Sequence, residues 1–117
     1  MNGGLSMSAD IHKCRLTVLK RTIDRDLIEE YLDDAYQDLA PCEALRDGQE
    51  FVLEGFEDIV TVPEGFCEWA WADIRDDILA VATGGSYPRL KQPGMIITSC
   101  SDWFRPVIFK IERMEDA

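Results

Sequence analysis

Four cysteines, Cys14, Cys42, Cys67 and Cys100, are the side chains of this sequence best suited to do chemistry, and His12 is its one imidazole. A thiol is a nucleophile or a metal ligand only as its thiolate, so its neighbours decide what it can do. Cys67 falls in the first turn of a helix expected to open at Pro63-Glu64-Gly65. There, unpaired amides and the helix dipole favour the anion, which makes Cys67 the first candidate nucleophile. Cys100 closes an expected strand and is followed by Asp102 and Arg105, a corner where a guanidinium can activate a thiol and a carboxylate can tune it. Cys42, Cys67 and Cys100 each lie at the edge of an element beside a turn, where sites collect. With a fourth ligand from Glu43, Glu68 or Asp102, these three cysteines could hold zinc or another soft metal. No Cys-x-x-Cys pair occurs, so the spacing alone is no zinc signature. Each cysteine also reads as a small apolar residue of the interior, as free cysteines usually are.

Other chemistries find less support. His12 sits alone on an N-terminal arm, so neither a Ser-His-Asp nor a Cys-His arrangement can be assembled. Gly84-Gly85-Ser86 lacks the lysine and the strand-to-helix context of a phosphate loop. Trp69 and Trp71 read as core and interface anchors before a cofactor cage. With 23 acidic residues against 12 basic ones and a net charge of -11, the chain would repel phosphate backbones and anionic lipid, so nucleic acid and membrane are not expected partners. The acidity reads first as a solvated surface, then as a face for a basic partner. No apolar run reaches the roughly 20 residues of a membrane helix, and Met1 to Asp10 lack the order of a signal peptide. A cytoplasmic location is expected, where free thiols outnumber disulfides.

The elements that must position these residues follow from periodicity. Residues 1–12 read as a flexible leader, 13–113 as one domain and 114–117 as a C-terminal tail. Lys13 to Arg21 alternates as a strand with Cys14, Leu16 and Val18 on one face. Asp24 or Asp26 can cap a first helix, whose stripe Leu27, Ile28, Tyr31, Leu32, Ala35, Tyr36 and Leu39 opposes an acidic face. Asp47-Gly48 turns the chain into a second strand, Gln49 to Glu54, which Ile59-Val60-Thr61-Val62 is expected to continue as a hairpin. From Pro63, a second helical segment places Cys67, Ala70, Trp71, Ile74, Ile78, Val81 and Ala82 on one face and ends at Gly84-Gly85, with Asp76-Asp77 able to split it. Met95 to Cys100 and Pro106 to Arg113 are the last two strands, with Val107, Phe109 and Ile111 facing in.

The run Cys14-Arg15-Leu16-Thr17-Val18-Leu19-Lys20-Arg21, the segment Gly48-Gln49-Glu50-Phe51, the motif Pro63-x-Gly65-Phe66-Cys67-x-Trp69-Ala70-Trp71, the pair Gly84-Gly85 and the run from Arg105-Pro106-Val107 through Ile111-Glu112-Arg113 resemble a family of small, uncharacterised prokaryotic proteins. The resemblance spans nearly all of residues 13–113. It carries no activity to this chain, but the family pattern has cysteines at the positions of Cys42, Cys67 and Cys100, which implies a shared thiol site. One departure is clear. The family corner reads Cys, any residue, Asp, Gly, whereas Trp103 follows Asp102 here, so the corner must use a turn without positive φ or display Trp103 outward.

The expected architecture is α+β, two helical segments on one face of a mainly antiparallel sheet of about four strands, in the order strand, helix, strand, helix, strand, strand. Two functions follow. One is a thiol site of Cys67 and Cys100, with Cys42 near and Asp102 and Arg105 tuning it, used for redox chemistry or soft-metal binding. The other is a non-catalytic module whose acidic, Trp-bearing surface binds a protein partner or forms a homo-oligomer.

Overall fold

Alternation at the start of β1 (Cys14–Arg21) buries Cys14, Leu16 and Val18 and turns Arg15 outward, although Thr17 on the other face is also covered and the register shifts after Val18. In the computed structural model, which describes residues 11–114, β1 is an inner strand of a four-stranded sheet. The others are β2 (Glu50–Leu53), β3 (Met95–Ser99) and β4 (Val107–Arg113). All pairings are antiparallel and the spatial order is β2-β1-β4-β3, so β2 and β3 are the edges. Along β4, Val107, Phe109 and Ile111 are buried as their alternation dictates.

The inner face is covered by α3 (Glu68–Ala82), which packs on β3, β4 and β1. Its buried residues are Ala70, Trp71, Ile74, Ile78, Val81 and Ala82, one continuous stripe at helical spacing. Phe66, just ahead of α3, stacks edge-on against Phe51 and Trp71 and tilts against Phe109, joining β2, α3 and β4. The helix runs unbroken through Asp76 and Asp77, contrary to the expected split. Both aspartates lie off the buried stripe, so their modest propensity loss is outweighed by packing. At its end the Gly85 N–H donates to Ala80 O at 2.8 Å and the Gly84 N–H to Val81 O at 3.2 Å, with Gly84 at φ +104°. This is the paired bonding that a left-handed glycine permits. The Arg113 guanidinium donates to Val81 O and Gly85 O, placing positive charge at the helix C-terminus.

Two other expectations are corrected. The first helix does not reach Leu39. It is α1 (Arg25–Tyr31), capped by Asp24, followed by a single 3-10 turn at Asp34–Tyr36. The Gln37 side-chain amide donates to Leu32 O at 2.7 Å, a carbonyl that a continuing helix would have used, and to Ile28 O at 2.8 Å, which also accepts the Leu32 N–H. Only Ile28 of α1 is buried, while Tyr31 and Tyr36 of the apolar stripe are 71% and 57% exposed. Nor do Ile59 and Val60 extend a hairpin. They belong to α2 (Phe56–Val60), where the Asp58 carboxylate accepts the Glu54 N–H at 2.8 Å and Ile59 turns into the core.

The expected leader and tail lie largely outside the described residues. Of the leader, Ile11 packs on the core and the His12 N–H donates to Ala82 O at 2.8 Å, so these two residues belong with the domain. Met114 also belongs with it through its N–H bond to Lys13 O.

Candidate functional site

Three segments far apart in sequence meet at one end of the sheet. The first is the entry to α3. Gly65 turns at φ +81° and Cys67 follows as the N-cap, with extended backbone (φ -74°, ψ 123°) and no side-chain capping bond. Its thiol is thus not committed to the helix amides and lines the cleft. The next turn of α3 adds Trp69, Ala70 and Asp73 to the same wall. These positions lie where the buried stripe gives way to surface, and Trp69 and Asp73 are four apart and so share a face.

The second segment is the β3–β4 corner. The Cys100 N–H donates to Val107 O at 3.1 Å, and Cys100 Sγ accepts the Val107 N–H at 3.4 Å, so this thiol is held at the last rung of the sheet. Beyond it, Asp102 Oδ1 accepts the N–H groups of Phe104 (3.0 Å) and Arg105 (3.1 Å), while Oδ2 faces Arg105 Nε at 3.4 Å. A carboxylate that accepts the backbone amides after it in this way closes the corner as an Asx turn, with no glycine needed. No non-glycine residue among the described residues has positive φ, and Trp103 projects outward.

The third segment is the loop after α1. Arg21 Nη1 donates to Cys42 O at 3.0 Å, Arg105 Nη1 to Ala40 O at 3.4 Å, and Leu45 is buried beneath. Arginines thus hold the carbonyls of a loop that has no ladder of its own.

The result is a cleft of about 330 Å3 lined by all three expected cysteines, Cys42, Cys67 and Cys100, together with Asp102 and Arg105. As for a shared ion, among the described residues no group of three or more His, Cys, Asp or Glu side chains is placed to hold a metal. His12 lies beside the C-terminal end of α3 and Cys67 caps the other end, so a helix of 15 residues separates imidazole from thiol. Cys14 is a core residue. Its Sγ donates to His12 O at 3.5 Å, and burial pushes its pKa up to about 11, with the opposing charge of Arg113 a smaller influence.

Asp73 was missed by sequence reasoning. Its Oδ2 accepts both the N–H (2.8 Å) and the Oγ–H (2.9 Å) of Ser101, tying the corner to α3. The available signal was its position four residues after Trp69, off the buried stripe. Asp73→Ala is expected to destabilise the fold by about 1–2 kcal/mol, since an accepting charge loses two bonds at an exposed site. It is also expected to speed Cys100 alkylation several-fold while leaving Cys14 slow, as urea denaturation and timed mass spectrometry would measure.

No protein-family model matches this chain, and no curated protein or solved structure matches it significantly.

Proposed function

We propose that the cleft is a cysteine-based redox site in which Cys67 and Cys100 act and Cys42 assists. The observation that carries the reading is that three cysteines line one cleft, which Arg105 also lines. Three half-buried thiols come together from a loop, a helix cap and a strand end, each packed against the edge of the core and lining the cleft. The step is thiol–disulfide exchange with a disulfide substrate. The Cys67 thiolate attacks one sulfur of the substrate, its S–S bond breaks, and a substrate thiolate leaves. A second cleft thiolate, Cys100 or Cys42, then displaces the remaining substrate thiolate, so two electrons pass from the protein to the substrate. Asp102 fixes Arg105 at the wall of the cleft. Such chemistry suits the cytoplasm, where all four cysteines would stay reduced. No helix among the described residues is long and apolar enough to cross a membrane.

Zinc binding is the competing use of the same thiols, and it would require the cysteines to close up around the ion. The test is anaerobic purification followed by metal analysis and timed reaction with an aromatic disulfide, read residue by residue. Cys67 and Cys100 should react at least roughly tenfold faster than Cys14, and Cys67→Ser should remove the exchange. One zinc retained per chain would assign the thiols to metal instead. Uniformly slow, burial-limited reaction without metal would sink both uses.

A further inference from the structure

Two of the three tryptophans stand in water: Trp69 is 84% and Trp103 74% exposed. Exposed tryptophans are the side chains most enriched at the centres of binding surfaces, because each offers a large rigid face at little entropic cost. Both border one groove. The thiol cleft carries Trp69 on its wall, and a more open cleft of about 580 Å3 continues from it past Trp103, Leu27 and Pro106. The two share Asp73, Cys100, Ser101 and Asp102 as a common floor. That floor is fixed in advance by the Asp73–Ser101 bonds and the Asp102 turn, so an occupant would not have to order it.

The charge of the groove selects the occupant. Asp24, Asp73 and Asp102 line it against the single Arg105, which Asp102 already engages. Asp73 uses Oδ2 for Ser101 and leaves Oδ1 without a partner among the described residues. The tryptophan faces attract cations through their ring quadrupoles, so the aromatic and the acidic features favour the same ligand. A second copy of the chain would bring net charge -11 against -11, which disfavours self-association here. The two tryptophans line adjoining clefts past the end of the edge strand β3, an arrangement that suits successive side chains of one extended chain. We propose that this groove docks an extended segment of a partner protein carrying Lys or Arg side chains, with Trp69 and Trp103 as its two anchors. The docking stands independently of the thiol chemistry.

The experiment is fluorescence anisotropy with a labelled nine-residue peptide of alternating Arg and Leu, beside one of alternating Glu and Leu. The basic peptide should bind and the acidic one should not, with affinity falling as salt rises. Trp69→Ala and Trp103→Ala should each weaken binding roughly tenfold or more. Both residues are exposed, so these variants keep the fold, and Tyr31→Ala, at an exposed aromatic that lines neither cleft, should bind as the parent does. Equal binding of the two peptides, or unchanged affinity in the double Trp variant, would overturn the proposal. So would a concentration-dependent dimer abolished by the same two substitutions, which would give the surface to a second copy.

Discussion

Trp71→Ala is expected to lower the free energy of unfolding by about 3–5 kcal/mol, the range for deleting a large buried aromatic. The whole stability of a domain this size is about 5–15 kcal/mol, so much of the variant would be unfolded under mild conditions. Three losses combine. Trp71 is 2% exposed, and its removal leaves a cavity beneath α3. Its Nε1–H donates to Ile59 O at 3.0 Å, the bond that ties α2 to α3, and truncation leaves that buried carbonyl unpaired. Its ring meets Phe66 edge-on with centroids 5.1 Å apart, and Phe66 in turn meets Phe51 and Phe109. Trp71→Phe separates these terms, since it keeps most of the stacking and loses the bond to Ile59. About 1–2 kcal/mol is expected for it. Urea denaturation at neutral pH measures both. A loss below about 1 kcal/mol for Trp71→Ala would mean that the α2–α3 junction is not packed as described. The effect reaches the cleft because Cys67, Trp69 and Asp73 stand on the same end of α3.

The period of α3 and of β4 was readable because each has only one solution. Ala70, Trp71, Ile74, Ile78, Val81 and Ala82 fall on one face at 3.6 residues per turn, and Val107, Phe109 and Ile111 on one face at two. The length of α1 was not readable. Tyr31, Tyr36 and Leu39 complete an apolar stripe on paper, but a stripe does not say whether anything covers it. Nothing local foretells that Gln37 will turn back to take the carbonyls of Ile28 and Leu32. The fate of Ile59 was hidden for a related reason. An apolar run of four residues suits a strand or a short buried helix equally, and the decision lay with Asp58 and Trp71. At the site, each cysteine could be placed at the edge of an element, but their convergence depends on the sheet order β2-β1-β4-β3, which pairing decides. Asp73 stayed out of sight because an acid on the exposed side of an acidic helix looks like solvated surface until its partner Ser101 is known.

Cys14 gives the chain a pH dependence of predictable sign. The residue has no exposed surface, and burial disfavours its thiolate, raising its pKa from 9.0 to about 11 against the smaller pull of Arg113. Below pH 9 the thiol is protonated in both the folded and the unfolded chain, and its contribution to stability is fully present. Between pH 9 and 11 the unfolded chain releases the proton while the folded chain retains it, so the unfolded state gains about 1.4 kcal/mol per pH unit. Stability attributable to Cys14 should therefore fall by about 2–3 kcal/mol across that window and level off above it. Lysines and tyrosines titrate nearby, so the measurement is a difference. Unfolding free energies of the parent and of Cys14→Ala are taken from pH 8 to 11, and the parent should lose that much more than the variant. Parallel curves would mean that the Cys14 thiolate is accommodated inside the fold, and β1 would not be sealed as described. The same titration sharpens the test of the cleft. At high pH an exposed thiol reacts faster as its thiolate fraction rises, whereas Cys14 can react only as fast as the chain opens. Cys14 thus serves as an internal clock for unfolding, and any cysteine of the cleft that outpaces it is reacting from the folded state.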